Sequence, residues 1–185
     1  MLPENFTGPL GWKIVQSMPI NNNGAEKIVY PVRQRGILGA AKIFRERDIW
    51  GTKIDRDSKS NQEYRSYQLT KASSLRQYIP TPIEMISDSG EDVGLLVEWR
   101  DGLTLVEQYG KVFLSHQIIN ELETILHRLP ESLWLNPDSL TDKNICWDNS
   151  SLWLAEPLIV RHQSLAGWKA TVEESMSYLY QNYCR

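Results

Sequence analysis

The sequence predicts an α+β fold in which a β-rich lobe precedes a helical lobe. Three observations carry this. The first hundred residues alternate short β-type runs with turn signals and hold one helix-length segment. The second half carries two long apolar stripes at helical spacing around one short hairpin, an order expected of an α+β arrangement. The 185 residues are 41% apolar and 23% charged, close to the composition of compact globular chains. At ~150 residues per domain, one structural unit is expected, divided into a β-rich lobe over 1–100 and a truncated helical lobe over 101–185.

The elements follow in order. Gly11 to Val15 reads as a strand, and Asn21-Asn22-Asn23-Gly24 as a turn, because Asn and Gly tolerate left-handed backbone. Two β-type runs, Lys27 to Val32 and Ile37 to Phe44, flank Arg33-Gln34-Arg35-Gly36 and form an antiparallel meander with the first strand. A charged loop from Arg47 leads to a helix over Ser58–Tyr78. That segment holds no Gly or Pro and carries Tyr64, Tyr67, Ala72 and Leu75 on a helical stripe. Pro80 and Pro82 stop it, since the residue before a proline avoids helical geometry. Strands at Ile83–Ile86 and Gly94–Trp99 enclose the polar loop Ser87–Asp92, and Asp101-Gly102 is a turn.

Beyond it, Leu114, Ile118, Leu122, Ile125, Leu126 and Leu129 line one helix face, which Pro130 ends. Asn144–Trp147 and Ser151–Leu154 are two short strands around Asp148-Asn149-Ser150, with Trp134, Trp147 and Trp153 packed about them. The last helix starts at Ser164, whose hydroxyl satisfies free amides of the first turn. Its apolar face is Leu165, Trp168, Val172, Met176, Leu179 and Tyr183.

Charge and composition exclude several function classes. Twenty basic and 23 acidic residues leave a net charge of -3, not the basic footprint of a nucleic-acid binder. No apolar run approaches the ~20 residues that span a bilayer, and the first residues lack the basic start and apolar core of a signal peptide. Cys146 and Cys184 make neither a disulfide framework nor a zinc pair. Neither a nucleic-acid nor a membrane partner is therefore expected, and a reducing compartment, the cytoplasm, is.

Four segments carry chemistry. Ala40-Ala41-Lys42-Ile43 sets a lysine inside an apolar strand. Asn61-Gln62-Glu63-Tyr64-Arg65 sets a glutamate on the following helix. Leu95 to Trp99 is a buried strand feeding a linker and a short helix at Asp101 to Leu105. Ser139 to Asp148 is a loop feeding a strand. In this order they resemble the protein-kinase-like fold over about residues 12–160. In that family a third-strand lysine pairs with phosphates and with a helix glutamate, the ion pair fixing the direction of the ammonium. The resemblance implies those roles for Lys42 and Glu63. It implies a nucleotide site using Gly24, Lys42 and the linker Glu98, Trp99 and Arg100, with Trp50 or Trp99 at its border. It implies ATP as ligand, and magnesium at Asn144 and Glu156.

The departures are equally specific. Ser139 stands where the family has its catalytic aspartate, and Pro137-Asp138 where it has His-Arg. Glu156-Pro157-Leu158 replaces the metal-binding Asp-Phe-Gly. The glycine-rich loop is reduced to Asn23-Gly24-Ala25-Glu26-Lys27. The serine variant of the loop looks like the small bacterial YrbL-like group, and minimal secreted kinase-like effectors are similar in character. These features imply a degenerate, nucleotide-binding pseudokinase that regulates a partner protein. One alternative is an active, atypical ATP-dependent phosphotransferase using Lys42, Asn144 and Glu156, helped by Asp138 or Asp142. Another is an interaction module on a kinase scaffold that binds no nucleotide.

Overall fold

The computed structural model describes residues 11–15, 26–161 and 164–184. The turn over 21–24 and Gly24 lie outside them. The elements are strands β1 (Lys13–Ile14), β2 (Lys27–Gln34) and β3 (Ile37–Phe44), helix α1 (Arg56–Lys71), strands β4 (Pro82–Asp88), β5 (Glu91–Glu98) and β6 (Leu103–Thr104), helix α2 (His116–His127), strands β7 (Ile145–Trp147) and β8 (Leu152–Leu154), and helix α3 (Leu165–Tyr183). The chain is thus α+β, with a sheet-rich N-terminal part and, among the described residues, three α-helices. No helix among the described residues is long and apolar enough to cross a membrane.

The chain forms two compact units, Met1–Arg65 with Thr81–Trp99, and Ser66–Pro80 with Arg100–Arg185. The first is built on a five-stranded antiparallel sheet in the order β1-β2-β3-β5-β4. Alternation along these strands sends every second residue to one face. Trp12, Tyr30, Val32, Ala41, Ile86, Val93 and Leu96 form a core cluster, while Lys42, out of phase with Ala41, joins the opposite face. Two-residue turns close both long hairpins. Arg35-Gly36 and Ser89-Gly90 each have positive φ at both residues (46° and 87°; 52° and 87°), the geometry that matches strand twist. The strands therefore run further than Ile83–Ile86 and Gly94–Trp99 foretell, and the polar loop Ser87–Asp92 shrinks to two residues. Gly94 is required by contact: a Cβ there would lie 2.2 Å from the Lys42 carbonyl oxygen.

Helix α1 is shorter than the expected Ser58–Tyr78. It ends at Lys71, and Arg76–Tyr78 is a separate 3-10 turn. The reason is local competition for backbone groups. Ser73 Oγ donates to the Thr70 carbonyl at 2.6 Å and accepts the Leu75 N–H at 3.1 Å. Lys71 Nζ donates to the carbonyls of Arg76 and Ile79 at 3.2 and 3.1 Å. Of the expected stripe Tyr64, Tyr67, Ala72 and Leu75, Tyr67 and Leu75 are fully buried, but Leu75 lies beyond the helix and the buried face of α1 is otherwise polar. That face runs Ser60, Glu63, Ser66, Tyr67 and Thr70, four of them small or charged, whereas Tyr64 is only half-buried.

In the second unit α2 packs on α3. Ser115 and Ser164 cap the two helices, their hydroxyls accepting the Ile118 and Gly167 N–H groups. Trp168, Val172, Met176, Leu179 and Tyr183 of α3 are fully buried, but Leu165 at the start of the expected stripe is half exposed. Trp134 stacks on Trp168 with ring centroids 6.1 Å apart, and so belongs with α3 instead of the short hairpin. Trp153 remains with the hairpin region and donates to the Asp101 carbonyl at 2.9 Å. The small sheet is β6-β7-β8.

Candidate functional site

Strand β3 and helix α1 meet at a buried ion cluster in the first unit. Lys42 Nζ donates to Glu63 Oε1 at 2.6 Å, and Lys27 Nζ donates to Oε2 at 2.5 Å. All three side chains are largely out of solvent, Glu63 almost completely. The sheet register explains the convergence. Val29 pairs with Lys42 and Lys27 with Phe44, so Lys27 and Lys42 are diagonal neighbours on one face, within reach of a common partner. The Lys27 ammonium also lies 5.3 Å from the centre of the Phe44 ring, a cation–π contact.

Burial alone would raise the Glu63 carboxyl. The two ammonium groups outweigh it, by charge and by hydrogen bonding, and hold it at about 2. Glu63 is therefore a carboxylate at any ordinary pH, and it fixes the direction of both ammonium groups. Sequence reasoning found Lys42 and Glu63 but missed Lys27. Alternation puts Lys27 and Val29 on one face, but that Val29 lies opposite Lys42 is a matter of strand register.

The linker residues have local duties. The Glu98 N–H donates to the Thr81 carbonyl at 2.7 Å, and its carboxylate accepts both the N–H and the hydroxyl of Thr81 at 2.9 and 2.8 Å. In the second unit, Arg100 donates to the carbonyls of Gln77 and Ile79 at 2.8 and 3.0 Å. Trp99 is half-buried, while Trp50 is 77% exposed.

The second unit carries Ser139, Asn144 and Glu156. Ser139 is buried, and its Oγ accepts the Leu158 N–H at 3.2 Å. That hydroxyl ties the 137–140 turn to the chain after β8. Asn144 Nδ2 donates to the Asp138 carbonyl at 2.8 Å, closing the loop on itself. The Asn144 carbonyl accepts the Ala155 N–H at 2.8 Å, so Glu156 is one residue beyond Asn144's partner in the hairpin. Asn144 Oδ1 accepts no hydrogen bond among the described residues and remains available as an oxygen ligand. Magnesium keeps several waters and takes few protein ligands, and an amide oxygen at Asn144 and a carboxylate at Glu156 are oxygen donors of the kind it accepts. No group of three or more His, Cys, Asp or Glu able to hold a metal occurs among the described residues.

Asp142 has a different environment from Asp138. It is buried, and its Oδ2 accepts the hydroxyls of Tyr183 at 2.8 Å and Tyr178 at 3.0 Å. Its backbone carbonyl accepts the Val106 N–H at 3.1 Å. The loop bearing Asn144 is thereby tied to the last turns of α3. Burial and then the Asp142 hydrogen bond push the Tyr183 phenol above its usual range. Nothing in the sequence flags this anchor, because its partners lie 36 and 41 residues away.

Compared with known proteins, the chain matches no protein-family model and no curated protein.

Proposed function

We propose that this chain is a kinase-like pseudokinase that binds ATP through Lys42 and regulates a protein partner. One observation carries the reading: a strand lysine, buried and aimed by a glutamate from the next helix, at 2.6 Å. Phosphoryl-binding sites need a cation whose direction is fixed before the ligand arrives, and this ion pair supplies one. The loss of catalysis is supported by Ser139, whose hydroxyl is buried and accepts the Leu158 N–H. A substrate hydroxyl finds no base there. Lys27 gives the cluster a second ammonium, an addition that suits a polyanion.

The test is thermal stability with and without ATP, each with and without magnesium. ATP at 100 times its dissociation constant adds ~2.7 kcal/mol if it binds only the folded chain. At about 2–4 °C per kcal/mol for this length, the midpoint rises by roughly 5–11 °C. The rise is expected to vanish in Lys42→Met. No shift with any nucleotide would overturn the reading in favour of an interaction module on the same scaffold.

The active phosphotransferase is the second reading. Asn144 Oδ1 favours it, as an oxygen that accepts no hydrogen bond among the described residues, on a residue whose carbonyl accepts from Ala155, next in the chain to Glu156. Magnesium bound there would neutralise developing charge on phosphate oxygens. On this reading a magnesium-dependent shift and stoichiometric phosphate transfer are both lost in Glu156→Gln. Transfer that survives both that change and Lys42→Met would exclude it.

A further inference from the structure

A second candidate site lies at the outer end of the β1–β2–β3 sheet, where Lys13, Arg33 and Arg35 line an open groove of about 470 Å³ with Gly11, Ile14, Val15, Gln34 and Gly36. None of these lining residues is acidic, although the whole chain carries a net charge of -3. All three cations are exposed, and the structure gives none of them an acidic partner among the described residues.

Two features of the groove work against stability, and both serve positive charge. Lys13 and Arg33 are direct cross-strand partners in the antiparallel ladder, where like charges repel. Arg35 occupies a left-handed position at φ 46°, where Gly, Asn or Asp sit at lower cost. The β4–β5 turn, at the opposite end of the sheet and built on the same geometry, uses uncharged Ser89 at the equivalent place. Among the described residues nothing acidic offsets the three cations, whereas an anion bridging them relieves the Lys13–Arg33 repulsion. Two guanidinium forks match phosphate oxygens in bidentate fashion, and the groove has the dimensions of a small-molecule site, not of a nucleic-acid stripe. We infer that this groove binds a small ligand bearing two or more adjacent phosphates, at a place separate from Lys42.

The probe is inorganic tripolyphosphate, titrated calorimetrically against the full chain at low and high salt, with orthophosphate and a poly-glutamate peptide in parallel. Lys42→Met is expected to remove whatever tripolyphosphate binds at its own cluster and to leave a second binding event, that of the groove, within twofold of its wild-type affinity. The double variant Arg33→Gln/Arg35→Gln is expected to weaken that event at least tenfold, with a shallower salt dependence. Its unliganded melting temperature is expected to equal or exceed that of wild type, because a repulsive pair has gone. Equal affinity in the wild type and the double variant would overturn the inference, as would loss of binding in Lys42→Met, or no tripolyphosphate binding at either salt. Binding of poly-glutamate without tripolyphosphate would overturn it in favour of an acidic peptide. Because the Lys42→Met arm separates the two places, the inference stands or falls apart from the nucleotide reading.

Discussion

Glu63 concentrates the physical chemistry of the first unit in one side chain. Its carboxyl lies at about 2 in the folded chain, against an ordinary value of 4.5. A carboxyl depressed on folding contributes stability that is fully present above its unfolded value and is lost as pH falls through the folded one. Wild type is therefore expected to lose stability progressively between about pH 4.5 and 2, as followed by urea midpoints across that range. Glu63→Gln removes that share of the slope, and an unchanged slope in the variant would refute the assignment. At neutral pH the same substitution breaks a buried ion pair, which costs roughly 3–5 kcal/mol. Ser139→Ala is a contrasting case. The change removes one of two acceptors of the Leu158 N–H, which keeps the Glu156 carbonyl at 3.0 Å, so the cost is that of one ordinary hydrogen bond, about 0.5–1.5 kcal/mol. Nucleotide affinity, measured as the ATP-dependent midpoint shift, is expected to remain. A variant as stable as wild type would mean that the hydroxyl does not hold the turn.

At the scale of elements, the sheet was legible and the helix faces were less so. Alternation and turn chemistry place β2, β3, β7 and β8 to within two residues, because two-residue turns and period-2 burial are local effects. The end of α1 was not legible, because Ser73 breaks the helix through its own hydrogen bonds while the sequence beyond still looks helical. The buried face of α1 was hidden for another reason: Ser60, Glu63 and Thr70 are polar residues whose burial depends on partners distant in sequence. The lysine–glutamate pair was readable from its order and spacing. Lys27 and the Asp142 anchor were not, since each depends on register or on contacts tens of residues away. Helix α3 gives a test of the same point. Trp168 and Leu165 both fall on its apolar stripe, yet Trp168 is fully buried against Trp134 and Leu165 is 51% exposed. Trp168→Ala is expected to cost about 3–5 kcal/mol, and Leu165→Ala within about 0.5 kcal/mol, by chemical denaturation. Comparable losses at both sites would contradict the observed burial.

At the scale of the whole molecule, the boundary between the two compact units falls inside one regular element. Helix α1 runs Arg56–Lys71, and the units divide at Arg65 and Ser66. A helix gains its hydrogen bonds cooperatively and is costly to nucleate afresh. Melting either unit therefore removes half of a helix whose other half is anchored in its neighbour along the chain. Glu63 anchors the first half through Lys42 and Lys27. Tyr67 anchors the second, its hydroxyl donating to the Ala155 carbonyl, as does Ser66, whose Oγ accepts the Ile159 N–H at 3.1 Å. A single calorimetric transition is expected, with its measured enthalpy equal to the van't Hoff value as two-state unfolding requires. Glu63→Gln in the first unit and Trp168→Ala in the second are expected to lower that one transition together. Two transitions, each moved only by the substitution in its own unit, would show that α1 does not couple them. The same scan with ATP decides how far ligand binding reaches: one transition shifting as a whole means that the nucleotide stabilises both units through the shared helix.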